Sequence, residues 1–294
     1  MYKIRIFSDF CNSTECKKII ESNAILNNLD YGINKKLFIT DEDDYTHVVI
    51  FNTVMPKIRQ DVPKENVIGF AYEPLVYLPL TPQFVTYAQK YINKYYVGDI
   101  ANLPKPFIAG NCYLHYNNPV LPIPNLPIPN LPILKTDNRI SIMISQKLHQ
   151  PGHVYRHSLT VAILKTNLPI DIYGRGCGYY KTDDSRLKGG FEKYEPYNGY
   201  DFHICIENVQ SEHYFSEKII NTFIAGATPI YLGCKNIDSY FPDQVLHLSG
   251  DINEDIQIIT NIVREPHRYR KQIDIEKTVD KVSLLHNIIE LYNE

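Results

Sequence analysis

The 294 residues include 33 acidic and 30 basic side chains, a formal net charge of −3, with 44% hydrophobic and 21% charged residues. This is the balance of a folded globular protein that can bury a sizeable core, as one large domain or two of ordinary size. A general nucleic-acid or membrane-surface role would show a basic excess and none is present, although two or three cations suffice for a single diphosphate.

The N-terminal run MYKIRIFSDF is too short, and too soon broken by Asp9, for a signal peptide. No window approaches the ~20 apolar residues needed to span a bilayer. The expectation is a soluble cytoplasmic chain without a membrane span. The six cysteines, at positions 11, 16, 112, 177, 205 and 234, form no CxxC pair. Cys205 and Cys234 sit in strand-like segments and read as buried thiols. Cys11 and Cys16 are close enough for a disulfide or a metal, but free thiols are the expectation for an intracellular chain.

In chain order, Lys3–Ser8 (KIRIFS) reads as a strand and Thr14–Leu29 as a helix with Ile19, Ile20, Ile25, Leu26 and Leu29 apolar. Lys36–Thr40 and His47–Asn52 are further strands, the second continuously apolar as a buried parallel strand is. Val67–Tyr72 is another, ending at Glu73-Pro74, where the proline keeps Glu73 extended. Thr81–Lys94 reads as a helix capped by Thr81 with Pro82 at its first position, and Tyr95–Gly98 as a last strand. Strands alternating with helices or long connections predict a doubly wound α/β domain over residues 1–117.

Residues 118–134, NPVLPIPNLPIPNLPIL, repeat LPIPN. Proline at nearly every second or third position forbids a helix or central strand and favours an extended, semi-rigid segment, here read as a linker over 118–137. A second α/β pattern follows over 138–271. Arg139–Ser145 is a strand, His153–Thr166 a helix, and Ile170–Tyr173 a strand running into Gly174-Arg175-Gly176-Cys177-Gly178. Residues 179–199 read as a loop. Strand Val245–Leu248 and helix Asn253–Val263 follow the stretch described next, and Ile273–Leu291 closes the chain as a helix within residues 272–294. Two α/β domains in series bind ligand in the cleft between them.

Within the second pattern, after the loop over 179–199, lies Asp201–Pro242: strand, polar loop, helix and strand. Ser216 is a good N-cap for the helix, and Glu217 suits its first turn, where the dipole favours an anion. Lys218 in the same turn opposes the dipole and becomes useful only with a bound anion. A diphosphate at that helix start would satisfy it, while a neighbouring carboxylate can accept the two hydroxyls of a ribose. Glu217 for ribose and Lys218 for phosphate make one nucleotide-diphosphate hypothesis.

The same stretch carries Glu207-Asn208, Tyr214, Ser216-Glu217-Lys218-Ile219, Ala225-Gly226 and Pro229-Ile230-Tyr231-Leu232-Gly233, followed by Asn236 and Phe241-Pro242. This spacing resembles the signature of the α-1,3/α-1,4-fucosyltransferases, glycosyltransferase family 10. Upstream, Ile144-Ser145, Arg156 and Ile170-Asp171-Ile172-Tyr173-Gly174 resemble further family segments, with Gln146 in place of the usual asparagine after the serine. The first domain matches weakly, through Gly69-Phe70-Ala71-Tyr72-Glu73-Pro74. The absence of an N-terminal membrane segment is closer to the soluble bacterial or viral layout than to the Golgi-anchored animal one.

The resemblance implies a GT-B fold, two Rossmann-like domains facing a cleft across the Pro-rich linker. It implies an inverting transfer of fucose from GDP-fucose to a glycan hydroxyl, with no cofactor or bound metal required. Without a metal, the charge of the departing diphosphate falls to cations and helix dipoles, for which Arg156 and Lys218 are the candidates. Tyr214 would orient phosphate or sugar, Glu217 the ribose, and Asn208 the sugar or base. Glu207, Ser216 and Tyr173 are additional candidates. Glu73 is the candidate general base, a role suited to a partly buried glutamate of raised pKa. Alternatives are another nucleotide sugar as donor, or a non-catalytic nucleotide- or glycan-binding module.

Two other patterns carry less. His149, His153 and His157 are spaced as metal ligands on one helix would be, but Pro151-Gly152 is expected to break the helix between the first two, and solvated or phosphate-proximal histidines are the expectation. The glycines at 174, 176 and 178 follow a strand as a dinucleotide loop does, but they are not GxGxxG and lead into Tyr179-Tyr180-Lys181 rather than an apolar helix.

Overall fold

In the computed structural model of the chain, residues 1–22, 30–99, 102–111, 139–192 and 195–293 are described. The Pro-rich segment, both of its boundaries, Cys112 and the second half of the helix expected over Thr14–Leu29 lie outside them. The chain forms two compact units. The first comprises the described residues of Met1–Leu126 together with Ser211–Tyr214 and Val279–Glu294, the second those of Pro127–Gln210 and Phe215–Thr278.

The first unit contains β1 (Tyr2–Phe7), α1 (Ser13–Ser22), β2 (Leu37–Ile39), β3 (His47–Phe51), β4 (Val67–Phe70), α2 (Pro82–Tyr91), β5 (Lys94–Val97) and β6 (Phe107–Ala109). The strands form one parallel sheet in the order β2-β1-β3-β4-β5-β6. Its two faces follow from the period of two along a strand. Val49 and Phe51 of β3 pack with Ile4, Ile6 and Ile68 on one face, while Val48 and Ile50 pack with Val67, Phe84 and Tyr95 on the other. α2 starts as its sequence predicts: Thr81 Oγ1 accepts the Phe84 amide at 3.2 Å, Pro82 takes the first position, and Phe84 and Ala88 bury one face.

Cys11 and Cys16 depart from the free-thiol expectation, because the structure joins them in a disulfide. Their five-residue spacing spans the start of α1 and brings the Cα atoms to 6.1 Å, inside the range that a disulfide bridges. Cys177, Cys205 and Cys234 are buried free thiols.

The second unit runs β7 (Ile140–Met143), α3 (Pro151–Leu164), β8 (Ile170–Tyr173), β9 (Leu187–Gly189), β10 (Phe202–Ile206), α4 (Glu217–Ile224), β11 (Thr228–Leu232), β12 (Leu246–His247), α5 (Ile252–Arg264) and α6 (Pro266–Tyr269). Its parallel sheet has the order β12-β11-β10-β7-β8-β9. Every residue of β8, β10 and β11 is buried, as in a sheet covered on both faces. Pro229 is tolerated inside β11 for a local reason. The Thr228 amide bonds toward β10, so position 229 faces the other side, below β12, which pairs only with Ile230 and Tyr231.

Several elements differ from the sequence reading. The stretch expected to be a loop over 179–199 contains β9, and β6 was not expected at all. α3 begins at Pro151, where proline is tolerated because the first helical amide needs no partner; Pro151-Gly152 therefore starts the helix that it was expected to break. The single helix expected over Ile273–Leu291 is divided into α7 (Ile275–Val282) and α8 (Leu284–Asn293). Leu284, Leu285 and Ile288 of α8 join the core of the first unit.

Candidate functional site

The order of the second sheet sets the place of a site. From β7 the chain crosses through α3 to β8 on one side, and from β10 through α4 to β11 on the other. Neighbouring strands whose connections leave in opposite directions open a crevice at their carboxyl ends, where α/β proteins bind ligands. Ile144-Ser145 ends β7, Glu207-Asn208 ends β10, and α3 and α4 begin beside them. Arg156, Asn208, Glu207, Ser216, Glu217 and Lys218 are all brought to this edge.

Glu207 anchors the α4 side. Its side chain is fully buried; Oε1 accepts the Ser216 amide at 2.8 Å and Oε2 the Ser216 hydroxyl at 2.7 Å. Lys218 Nζ lies 3.2 Å from Glu207 Oε2, 3.2 Å from Glu217 Oε1 and donates to Ser216 Oγ at 2.8 Å. Lys218 therefore has internal counter-charges, which the sequence argument for a bound anion did not include because the partner comes from β10. Burial disfavours its charged form, but the Glu207 and Glu217 carboxylates outweigh that and hold its pKa above the ordinary lysine value. Its side chain keeps 15% of its surface exposed, and that of Glu217 is half-exposed.

The α3 side is anchored by close approach. A Cβ on Gly152 would lie 1.8 Å from the Glu207 carbonyl oxygen, so only glycine lets the first turn of α3 sit against the end of β10. The Gly152 amide donates to the Asn208 carbonyl at 2.9 Å. One turn later Arg156, 7% exposed, donates from Nε to the Gly152 carbonyl at 3.1 Å and from its other arm to Asn208 Oδ1 at 2.6 Å. It is not a surface arginine. Asn208 holds the guanidinium, and both are fixed to the same strand end.

Most of the remaining motif builds the frame. Gly226, with φ +72°, closes α4 in the left-handed conformation while the Gly226 and Ala227 amides bond to the Phe223 and Thr222 carbonyls. A Cβ on Gly233 would come within 2.5 Å of both Glu207 Cγ and the Tyr231 hydroxyl. Phe241 packs its ring on Phe215 and Phe223, under α4. The glycine loop after β8 has a packing role as well. Cβ atoms on Gly174 and Gly176 would meet the Ile144 and Ser145 carbonyls at 2.1 and 2.6 Å, so these glycines seat the turn against the end of β7. There His157 bridges the Ser145 carbonyl and the Tyr180 hydroxyl at 2.8 and 2.7 Å.

The other candidates are Tyr173 in the second unit and Tyr214 and Glu73 in the first. Tyr173, 6% exposed, bonds the Tyr200 hydroxyl at 2.8 Å, and Tyr200 donates to the buried Asp171 at 2.7 Å. Its hydroxyl is engaged in that inward network, and burial raises its pKa. Tyr214 is buried in the Ser211–Tyr214 segment of the first unit, where a Cβ on Gly98, just after β5, would lie 3.9 Å from Tyr214 Cβ. Glu73 follows β4 in a bend and is exposed, not partly buried as a raised-pKa base was expected to be. The pKa of its neighbour Tyr77 is raised, first by burial and then by the Glu73 charge.

One residue of the edge was missed. His153, in the first turn of α3, is 5% exposed and its Nδ1 is buried without a hydrogen-bond partner. Burial, with Arg156, His149, Lys147 and Lys218 nearby, pushes its pKa down to about 4. The histidine spacing drew attention to it as a metal ligand or, in preference, as a solvated or phosphate-proximal histidine, without singling it out from His149 and His157. Among the described residues no three His, Cys, Asp or Glu side chains gather as a metal site would require.

Residues 136–279 match the family model described as the C-terminal domain of glycosyltransferase family 10 (fucosyltransferase). A fucosyltransferase-like protein of Arabidopsis thaliana is 33% identical over 96 residues, which is 32% of this chain but only 17% of that relative's length. An α1,3-fucosyltransferase structure aligns over 99% of this chain and 92% of its own, at 12% identity and a TM-score of 0.52. The GDP-fucose complex of an α1,3-fucosyltransferase aligns over 100% and 90%, at 13% identity and a TM-score of 0.53. The Anabaena protein HepE with UDP-glucose aligns over 84% and 78%, at 12% and 0.51. Two parallel-sheet α/β units of this kind are the GT-B fold. Residues 136–279 are thus similar to the C-terminal domain of glycosyltransferase family 10, and the chain as a whole shares the GT-B fold.

Proposed function

We propose that the chain is an inverting glycosyltransferase that moves fucose from GDP-fucose to a glycan hydroxyl in a single displacement. The observation that carries this reading is the pair of anchored cations, Arg156 and Lys218, at the edge where β7 and β10 diverge. Each is tied to the end of β10, one through Asn208 and one through Glu207, so neither must reorganise when a diphosphate arrives. Preorganised charge of this kind is what stabilises a departing anion. The amino ends of α3 and α4 add their dipoles in the same sense. Fucose as the sugar and guanosine as the nucleoside rest on the family description and on the motif.

In this reading Arg156 and Lys218 bind the phosphate oxygens, Glu217 the ribose, and Asn208 sets the Arg156 guanidinium. Glu207 and Ser216 position Lys218 and do not touch the donor. The second unit holds the donor and the first receives the acceptor. The acceptor oxygen attacks the anomeric carbon as the bond from that carbon to the β-phosphate oxygen breaks. The hydroxyl proton passes to Glu73, whose exposure leaves it accessible to an acceptor, and GDP leaves with the bonding pair. Tyr214 is a candidate for orienting phosphate or sugar.

The test is transfer from GDP-fucose against a panel of glycan acceptors. The wild type is expected to release GDP in an acceptor-dependent way. Lys218→Ala should lose transfer together with donor affinity, and Glu73→Gln should lose transfer with donor affinity kept. GDP binding without turnover on any acceptor would favour a binding module, and full activity in Glu73→Gln would remove the base assignment.

A further inference from the structure

The first turn of α3 holds a polar group that the reading above does not use. His153 follows the clamped Gly152, so its backbone is fixed against β10, and it precedes Arg156 by less than one turn on the same helix. It is 5% exposed; its Nδ1 is enclosed without a partner, and neither ring nitrogen has a hydrogen bond among the described residues. Among the described residues its one ring contact is His149, edge to face with centroids 5.0 Å apart. A buried polar nitrogen left unpaired is costly, and in a native structure it calls for an explanation. The cations acting on the ring come from three segments: Arg156 on its own helix, Lys147 on the loop before it, and Lys218 on α4. A neutral N–H donor among cations matches an anionic oxygen.

We infer that His153 is a third ligand of the donor diphosphate, one ring N–H donating to a non-bridging phosphate oxygen held between α3 and α4. The inference rests on the nucleotide-sugar reading of this site and adds to it an uncharged contact whose partner exists only in the complex. In the free protein the ring is neutral, because burial and its cationic neighbours disfavour the imidazolium. His153 thus discriminates by the presence of phosphate oxygens and contributes nothing to a nucleoside alone.

Titration calorimetry at pH 7 with GDP and with guanosine, on the wild type, His153→Leu, His153→Gln and Lys218→Ala, tests it. His153→Leu should weaken GDP about tenfold, as the loss of a hydrogen bond to a charged group does, and leave guanosine unchanged. His153→Gln, which keeps an N–H donor, should recover most of the loss. Thermal melting separates this from a structural role: removing an unpartnered buried polar group should leave the ligand-free His153→Leu protein at least as stable as the wild type. Wild-type GDP affinity in His153→Leu, with Lys218→Ala impaired, would overturn the inference and leave the nucleotide reading intact. Equal losses for GDP and guanosine with a lowered melting temperature would overturn it in favour of packing. No GDP binding by the wild type would remove the nucleotide reading itself, and the inference with it.

Discussion

Substituting Glu207 by glutamine isolates the residue on which the α4 side of the site depends. Both carboxylate oxygens are used, one by the Ser216 amide and the other by the Ser216 hydroxyl and Lys218. A glutamine amide group must point two hydrogens at one of these partners. In one orientation it faces the Ser216 N–H, and in the other it faces the ammonium. Breaking a buried ion pair by removing one partner costs about 3–5 kcal/mol. Glu217 remains 3.2 Å from Lys218, so a loss of about 3 kcal/mol is expected, chiefly as easier opening of α4. Hydrogen exchange of the α4 amides reads this locally, with protection falling by about two powers of ten, while amides of the first unit keep theirs. Protection in α4 unchanged to within about threefold would refute the view that Glu207 holds the helix rather than the ligand.

The remaining predictions concern packing, pH and redox state. Gly152→Ala would force α3 from the Glu207 carbonyl by more than an ångström, since the added Cβ would start at 1.8 Å; a stability loss of about 2 kcal/mol or more in urea unfolding is expected, together with weakened GDP binding. His153 and His203, 5% and 1% exposed, have pKa values pushed down to about 4 and about 3, first of all by burial. The unfolded chain takes up these protons near pH 6.5 and the folded chain does not, so stability is full above that pH and falls as pH drops toward 4 and then 3. At about 1.4 kcal/mol per pH unit for each group, urea midpoints at pH 4 should be well below those at pH 7, and His203→Asn should flatten the profile. Alkylation under non-reducing conditions should spare Cys11 and Cys16 and modify them after reduction, whereas modification without reductant would mean that the pair is open in solution.

Much of the fold was legible because buried parallel strands are continuous apolar runs. HVVIF, VIGF, ISIM and IDIY each became a strand within a residue or two of its expected ends, and FHICI is the strand expected to open Asp201–Pro242. The misses have physical causes. β6 and β9 are three residues long at sheet edges, and Leu187-Lys188-Gly189 has neither an apolar run nor a usable alternation. The break between α7 and α8 falls at Ser283 within one apolar stripe, so periodicity does not reveal it. Pro151-Gly152 was read as a breaker because proline and glycine disfavour helix interiors, but at a helix start proline costs little and glycine grants close approach to β10.

The candidate site divides along similar lines. The motif located the edge, and local rules identified the Ser216 cap. Lys218 was informative for an incomplete reason: its counter-charge comes from Glu207, eleven residues earlier and across a loop, which no rule of first-turn electrostatics includes. The orphan Nδ1 of His153 was not legible at all, since whether a buried nitrogen has a partner depends on every element packed around it. Cys11 and Cys16 show the converse. Their proximity was evident in the sequence, and only the backbone at the start of α1 decided that they pair.

A crystal structure of the chain with GDP bound would test the donor site directly. One GDP is expected on the second unit, its diphosphate at the carboxyl edge of β7 and β10 with Arg156 and Lys218 on its oxygens and Glu217 on the ribose. Glu207 should still accept from Ser216 as it does in the free protein. A diphosphate bound elsewhere, or one at this edge that neither cation touches, would contradict that placement.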